Sequence, residues 1–268
     1  MTEIQPNIRQ LHVLKDDLRP VWEPDRAPVL FHHGIGIDHR IWTRWVPIIA
    51  ARHTVWRFDM RGFGASPKPE PTLAWELQTL LDDALSVIDQ TGAEKVHLVG
   101  ESFGGSVVLS LALRHPDRVA SVQISNASYK GLGLGELEHW NRQFDDGGAE
   151  GWSRRMMVNR FGPKVIDPEA LEWFQSEQSR TLPHVALGLG RILAGLDLSD
   201  DLKDLKVPLS VVLPDSSPFV PVAHGVELLE QVPDARLRVV PDCRHGLVFS
   251  HAVSEAKAYL DFIDACGG

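Results

Sequence analysis

One stretch constrains this chain more than any other: Val96-His97-Leu98-Val99-Gly100-Glu101-Ser102-Phe103-Gly104-Gly105-Ser106-Val107-Val108. An apolar run of strand length leads into Gly-x-Ser-x-Gly at Gly100, Ser102 and Gly104, and Val107 to Leu113 continues in the small-residue and leucine pattern of a buried helix. A strand that turns sharply into a helix is the context that separates a meaningful Gly-x-Ser-x-Gly from a chance pentapeptide. The reason is steric. A serine at the tip of so tight a turn takes a strained backbone conformation, and glycine on either side lets neighbouring chain approach where a Cβ would clash. The Ser102 hydroxyl is then expected above the sheet edge, and the Phe103 amide, opening the next helix, points into the same space.

The rest of the chain supplies the sheet such a turn needs. Val29 to His32 reads as a short buried strand ending in the turn His33-Gly34-Ile35-Gly36, which leaves the Ile35 amide free to point at a ligand. Arg9 to Leu14 and Leu18 to Trp22 predict an edge hairpin, Trp42 to Ala51 a helix, and Thr54 to Phe58 a strand. Leu77, Leu80, Leu81, Ala84, Leu85 and Ile88 share one face of a helix over Leu73 to Gln90. Further strands are predicted at Val119 to Ile124, Val207 to Leu213 and Arg236 to Val240, and a closing helix at Ala252 to Ile263. From about Ala127 to Asp204 strand alternation is lost. After a glycine-rich lead-in, Gly131 to Gly135, that block reads as helices near 137–144, 150–161, 169–180 and 184–196. Strands alternating with helices argue for a mostly parallel, twisted sheet flanked by helices. The predicted organisation is an α/β core over residues 1–126 and 205–268, with a helical cap at 127–204 inserted after the sixth predicted strand and covering the site.

Composition limits the partners. At 268 residues the chain is long enough for one large domain. A net charge of −9 without any Lys/Arg cluster speaks against nucleic acid and anionic membrane, which leaves a small-molecule substrate as the expected partner. Met1 to Asn7 lacks the basic start and apolar core of a signal peptide, and the most apolar window, Val96 to Leu113, is too interrupted for a membrane span. Two distant cysteines, Cys243 and Cys266, make no disulfide framework, so a reduced cytoplasm is expected. Oligomeric state does not read out of the sequence.

A serine hydroxyl needs a positioned base to act as a nucleophile. Of twelve histidines, His245 stands in the loop after the last strand, which in a parallel sheet opens on the same edge as Ser102. His97, inside a strand, and His115, at a helix end, read as structural. His32, His33, Asp38 and His39 match no standard zinc spacing, and neither Gly131 to Gly135 nor Gly188-Leu189-Gly190 forms a phosphate loop, so no metal and no cofactor is expected.

The set of His33-Gly34 after an early strand, Asp59-x-Arg61-Gly62-x-Gly64, the Gly100 to Gly105 elbow and the late His245 resembles the α/β-hydrolase superfamily over nearly the whole chain. Within it, the run Gly36 to Trp42 and the block containing Trp152 and Asn159-Arg160-Phe161 are similar to 3-oxoadipate enol-lactonase-like hydrolases. The resemblance implies Ser102 as nucleophile, His245 as base and an oxyanion hole from the amides of Ile35 and Phe103, with His33 shaping the turn. It also implies an acid after the penultimate strand, in Gly-x-x-Asp-Pro-x-x-Pro. Here the stretch is Val212-Leu213-Pro214-Asp215-Ser216-Ser217-Pro218-Phe219-Val220-Pro221, so Ser217 stands at the acid position and Asp215 two residues earlier. The other known acid position, after the strand ending at Ile124, holds Ser125 and Asn126. Three readings stay open: Asp215 reaches His245 through a shifted loop, Ser217 or a water orients the imidazole, or the site is weakened.

The leading expectation is a serine hydrolase of a small carboxylic ester or lactone. The alternatives are a cofactor-free C–C bond hydrolase or decarboxylase on the same scaffold, and a non-catalytic small-molecule-binding homologue. Trp140 and Trp152 are the cap aromatics expected to line an apolar pocket, and Arg154 and Arg155 are candidate partners for a substrate carboxylate, weighed against a solvated helix face.

Overall fold

The computed structural model describes residues 10–131 and 134–267. Met1 to Asn7, the start of the predicted hairpin and residues 132–133 of the glycine-rich lead-in lie outside the described residues. In chain order the first half comprises β1 (Val13–Asp16), β2 (Val29–His32), α1 (Val46–Ile49), β3 (Val55–Phe58), α2 (Leu77–Thr91), β4 (Val96–Glu101), α3 (Phe103–Arg114) and β5 (Val119–Ser125). Three helices follow, α4 (Leu134–Arg160), α5 (Pro168–Gln178) and α6 (Pro183–Gly195), before β6 (Leu209–Pro214), α7 (Val222–Gln231), β7 (Ala235–Val240), α8 (Leu247–Ser250) and α9 (Ala252–Ala265).

The seven strands form one sheet in the order β1-β3-β2-β4-β5-β6-β7. All neighbours are parallel except the β1–β3 pair at the edge. A parallel interior strand is covered on both faces, which explains why β4 is buried throughout rather than alternating. Its successive residues still serve opposite sides. Leu98 packs with α2 and α3 residues such as Leu81, Val87 and Val107, while Val99 joins Phe31, Trp42, Trp45 and Tyr259 on the other face. The sheet thus carries two apolar layers, and its central strands are fixed in register: Gly100 stands opposite His32 on one side and Ile124 on the other. That alignment brings the C-terminal ends of β2, β4 and β5 level. The Ser102 amide donates to the Ser125 carbonyl at 2.8 Å and the Asn126 amide to Val212 at 3.0 Å, so the row of loops beyond this edge is tied strand to strand.

Four predicted elements differ. The second arm of the expected hairpin is not a strand: Leu18, Val21 and Trp22 are exposed, Pro20 removes a ladder donor, and β1 finds its partner in β3 instead. The helical block therefore leaves after the fifth strand, β5, rather than the sixth, although at the same place in the chain. The helix expected over Trp42 to Ala51 is divided into a 3₁₀ turn at His39–Trp42 and the short α1, which Pro47 opens. The helices expected at 137–144 and 150–161 are one run, α4, broken at Gly148 with φ 61°. Helix α7 had no counterpart in the sequence reading, although a right-handed crossover between the parallel strands β6 and β7 requires such an element. Among the described residues no helix is long and apolar enough to cross a membrane.

Candidate active site

The site is built from the elbow upward. Ser102 has φ 53° and ψ −125°, a conformation that costs a non-glycine residue roughly 1–3 kcal/mol and persists only where the surroundings fix it. They do so here through β4, α3 and the Ser102–Ser125 bond. Glycine is required on both sides. A Cβ on Gly100 would run into the backbone of Gly104 and Gly105, and one on Gly104 into the carbonyls of His32 and His33.

His245 reaches this serine from the turn after β7, with Nε2 at 3.0 Å from Ser102 Oγ. Its loop is held from two directions. The His245 amide donates to Asn159 O at 3.2 Å and the Gly246 amide to Arg160 O at 2.8 Å, both at the end of α4. From β5, the Asn126 side-chain amide donates to the His245 carbonyl at 2.6 Å. The imidazole is buried. Burial first, and the Arg160 charge second, hold its pKa well below the ordinary 6.5, so it is neutral at neutral pH.

The opposite ring nitrogen, Nδ1, lies 3.3 Å from Ser217 Oγ. The structure does not bring Asp215 to this histidine. The Asp215 carboxylate accepts the amides of Asp242 at 3.0 Å and Cys243 at 3.2 Å, which hold its pKa below the usual carboxylate value and hold the His245 loop to the end of β6. Of the three open readings, the geometry selects the hydroxyl as the group beside the ring.

Ile35 and Phe103, the expected oxyanion pair, line the same small chamber as Ser102 and His245. Phe103 is the first residue of α3, so its amide is one of those a helix N-terminus leaves without an intrahelical acceptor. His33 is used up in the turn: its Nε2 accepts the Met60 amide at 2.9 Å, which makes Nδ1–H the donor to Gly34 O at 2.8 Å. A half-buried serine paired with a buried imidazole, at a strained strand–helix turn beside a helix N-terminal amide, is suited to attack on a carbonyl carbon.

A family model described as "alpha/beta hydrolase fold" matches residues 27–178, more than half of the chain. The protein belongs to that family. Among curated relatives, 2-hydroxy-6-oxo-6-phenylhexa-2,4-dienoate hydrolase of Burkholderia cepacia is 27% identical over 252 residues, covering 88% of this chain and 87% of the relative. 3-Oxoadipate enol-lactonase 1 of Acinetobacter baylyi is 27% identical over 216 residues, 78% of either chain. Among solved structures, the enol-lactonase of Burkholderia xenovorans superposes with a TM-score of 0.86 at 22% identity, covering 95% of this chain and 96% of its own.

Two charges in this hydrolase escaped the sequence reading. Glu101, next to Ser102, and Arg160, at the end of α4, are both buried, with Glu101 Oε1 3.5 Å from Arg160 Nη1. Burial raises the Glu101 carboxyl and lowers the Arg160 guanidinium, each opposed by the other's charge. Arg160 Nη2 also donates to Ile35 O at 2.9 Å, tying the Ile35 turn to α4. The signal was Glu101 itself: a carboxylate inside a buried elbow demands an opposite charge from elsewhere in the chain. Arg154 and Arg155 do not enter the site. Arg154 pairs with Glu150 on an exposed face and Arg155 contacts Gln143 O at 3.5 Å.

Of the two expected aromatics, Trp140 lines the chamber, whereas Trp152 is not among its lining residues and stacks on Phe144 at 5.0 Å between centroids. The chamber has a volume of about 30 Å³, space for a water or two. His32, His33, Asp38 and His39 do not converge: His32 turns to His33 O, and Asp38 pairs with Arg40. His39 instead joins His12 around Asp59, with candidate ligand atoms within 4.8 Å of one another. Both Asp59 oxygens there already accept backbone amides, from His39 and Ala65, as well as the two rings, which makes Asp59 a hydrogen-bond hub for the turn that follows β3.

Proposed function

We propose that this hydrolase cleaves a small carboxylic ester or lactone through an acyl-enzyme on Ser102, with helices α4 to α6 serving as a cap over the chamber. The observation that carries the reading is the 3.0 Å approach of His245 Nε2 to the hydroxyl of a serine held at the elbow. In the acylation step Ser102 Oγ attacks the carbonyl carbon and gives its proton to His245 Nε2. The new oxyanion receives hydrogen bonds from the amides of Ile35 and Phe103, where each fixed donor contributes on the order of 3–4 kcal/mol of barrier lowering. Collapse expels the alkoxide, which takes the proton from His245. Water, deprotonated by the same nitrogen, then releases the acid and restores Ser102. The named activities of the relatives, a dienoate hydrolase and an enol-lactonase, support a small ester-like or keto-acid substrate.

The test is hydrolysis of a short p-nitrophenyl ester by the wild type and by Ser102→Ala. The reading expects turnover in the first and none above background in the second. Cleavage of a C–C bond is the second reading, favoured by the dienoate hydrolase relative and by the lack of a carboxylate beside His245. A Ser102→Ala variant that keeps its rate would select general-base chemistry by His245 and set aside the acyl-enzyme.

A further inference from the structure

The group beside His245 Nδ1 is a hydroxyl whose acceptor capacity is already committed. Ser217 Oγ accepts the amide of Phe219 at 3.3 Å and the amide of Val220 at 3.3 Å. A hydroxyl oxygen has two lone pairs and one proton. With both lone pairs occupied by amides, what Ser217 has left is its proton, and His245 Nδ1 at 3.3 Å is the acceptor the structure offers it. Among the described residues, Ser217 Oγ is the only group recorded within hydrogen-bond reach of Nδ1. The Asn126 amide is turned to the backbone carbonyl of His245, Asp215 is held by the amides of Asp242 and Cys243, and the Phe219 ring lies edge-on at 4.8 Å between centroids. The charged group that bears on His245 is the Arg160 cation, itself paired with Glu101.

A neutral imidazole that accepts at Nδ1 carries its proton on Nε2. We infer that Ser217 holds resting His245 in the Nε2–H tautomer, so that the ring donates to Ser102 Oγ and cannot take its proton until the tautomer is exchanged. An acid in this place does the reverse: it accepts from Nδ1–H and leaves Nε2 free as the base. Ser217 is accordingly a positioning residue that restrains the catalytic pair. The resting site is a set of donors, His245 Nε2–H together with the amides of Ile35 and Phe103, and turnover passes through the minor tautomer. In a serine protease, putting the histidine in the wrong tautomer lowers turnover by about 10⁴-fold, which sets the scale of what Ser217 withholds.

The rate consequences rest on the hydrolase reading proposed above; the tautomer does not, and the two are measured separately. Long-range proton–nitrogen correlation spectra of the ¹⁵N-labelled protein at neutral to mildly alkaline pH report which ring nitrogen bears the proton, and His245 is assigned by the signals lost in His245→Gln. The expected wild-type spectrum has a protonated Nε2 and an unprotonated Nδ1; a protonated Nδ1 would overturn the inference whether or not the protein is active. In the p-nitrophenyl ester assay, Ser217→Ala removes the donor to Nδ1 and is expected to be faster than wild type. Activity at or below that of wild type would overturn the inference. Ser217→Asp is expected to move the proton to Nδ1 and to raise kcat more than about tenfold; a folded Ser217→Asp with Nδ1 protonated and no gain would show that the tautomer does not limit the rate. Should that variant fail to fold, the wild-type spectrum and Ser217→Ala decide. A spectrum as expected combined with no esterase activity in any variant would retain the tautomer and reject the hydrolase reading.

Discussion

Three side chains are each held by a specific contact: Ser102 at the strained elbow, His245 beside its hydroxyl from the loop after β7, and Asp215 on the amides of Asp242 and Cys243. Ser102 was legible because strain leaves a trace, the flanking glycines that backbone contacts at Gly100 and Gly104 enforce. His245 was legible from topology, since a loop after a parallel strand opens on the elbow's edge. Asp215 was not, because a carboxylate two residues off the expected position serves equally well as an acceptor for turn amides, and only coordinates tell the two uses apart. Two outcomes follow. Asp215→Ala should lower Tm by loosening the base-bearing loop while leaving kcat within about twofold of wild type at a temperature where the variant is folded; a collapse of kcat in a folded variant would return the acid role to Asp215. The depressed pKa of His245 keeps its base form at acid pH, so kcat/KM for a neutral ester should stay level as pH falls through 6.5 and decline only below it. A half-maximal point at or above 6.5 would contradict the buried, cation-flanked imidazole.

At the scale of elements, the sheet and the helices flanking it were legible because periodicity records burial. The helical block was legible only as helices, since its packing depends on contacts between distant segments. The end of α4 shows what such contacts do. Within two residues, Asn159 and Arg160 accept from the amides of His245 and Gly246, donate to Ile35 O and neutralise Glu101. One helix terminus thus fixes the His245 loop, the Ile35 turn and the elbow relative to one another. Arg160→Met strips Glu101 of its partner and should destabilise the fold by about 3–5 kcal/mol in denaturant titrations, because an unpaired buried charge is left behind. Adding Glu101→Gln should recover most of that stability without restoring kcat, since Ile35 O has lost its donor. A single variant as stable as wild type would show that the pair does not matter to the fold.

Over the whole molecule, buried neutral histidines set the response to acid. Burial lowers the pKa of His32 to about 3 and of His97 to about 4, and depresses His33, His53 and His245 below 6.5. The unfolded chain takes up protons at 6.5 while the folded chain refuses them, so stability is fully present above 6.5 and is lost as pH falls from there through the folded values. At roughly 1.4 kcal/mol per pH unit, His97 alone removes about 3 kcal/mol between 6.5 and 4. The urea midpoint should therefore be level above pH 6.5 and drop steadily toward pH 4; a midpoint that holds down to 4 would mean these rings are solvated. The account as a whole rests on the proposal that Ser102 is the nucleophile and His245 its base. Its most direct measurement is intact-protein and peptide mass spectrometry after exposure to a small fluorophosphonate. The account predicts a single covalent adduct on Ser102, absent in Ser102→Ala and strongly slowed in His245→Gln; labelling at any other residue, or none on the folded wild type, would contradict it.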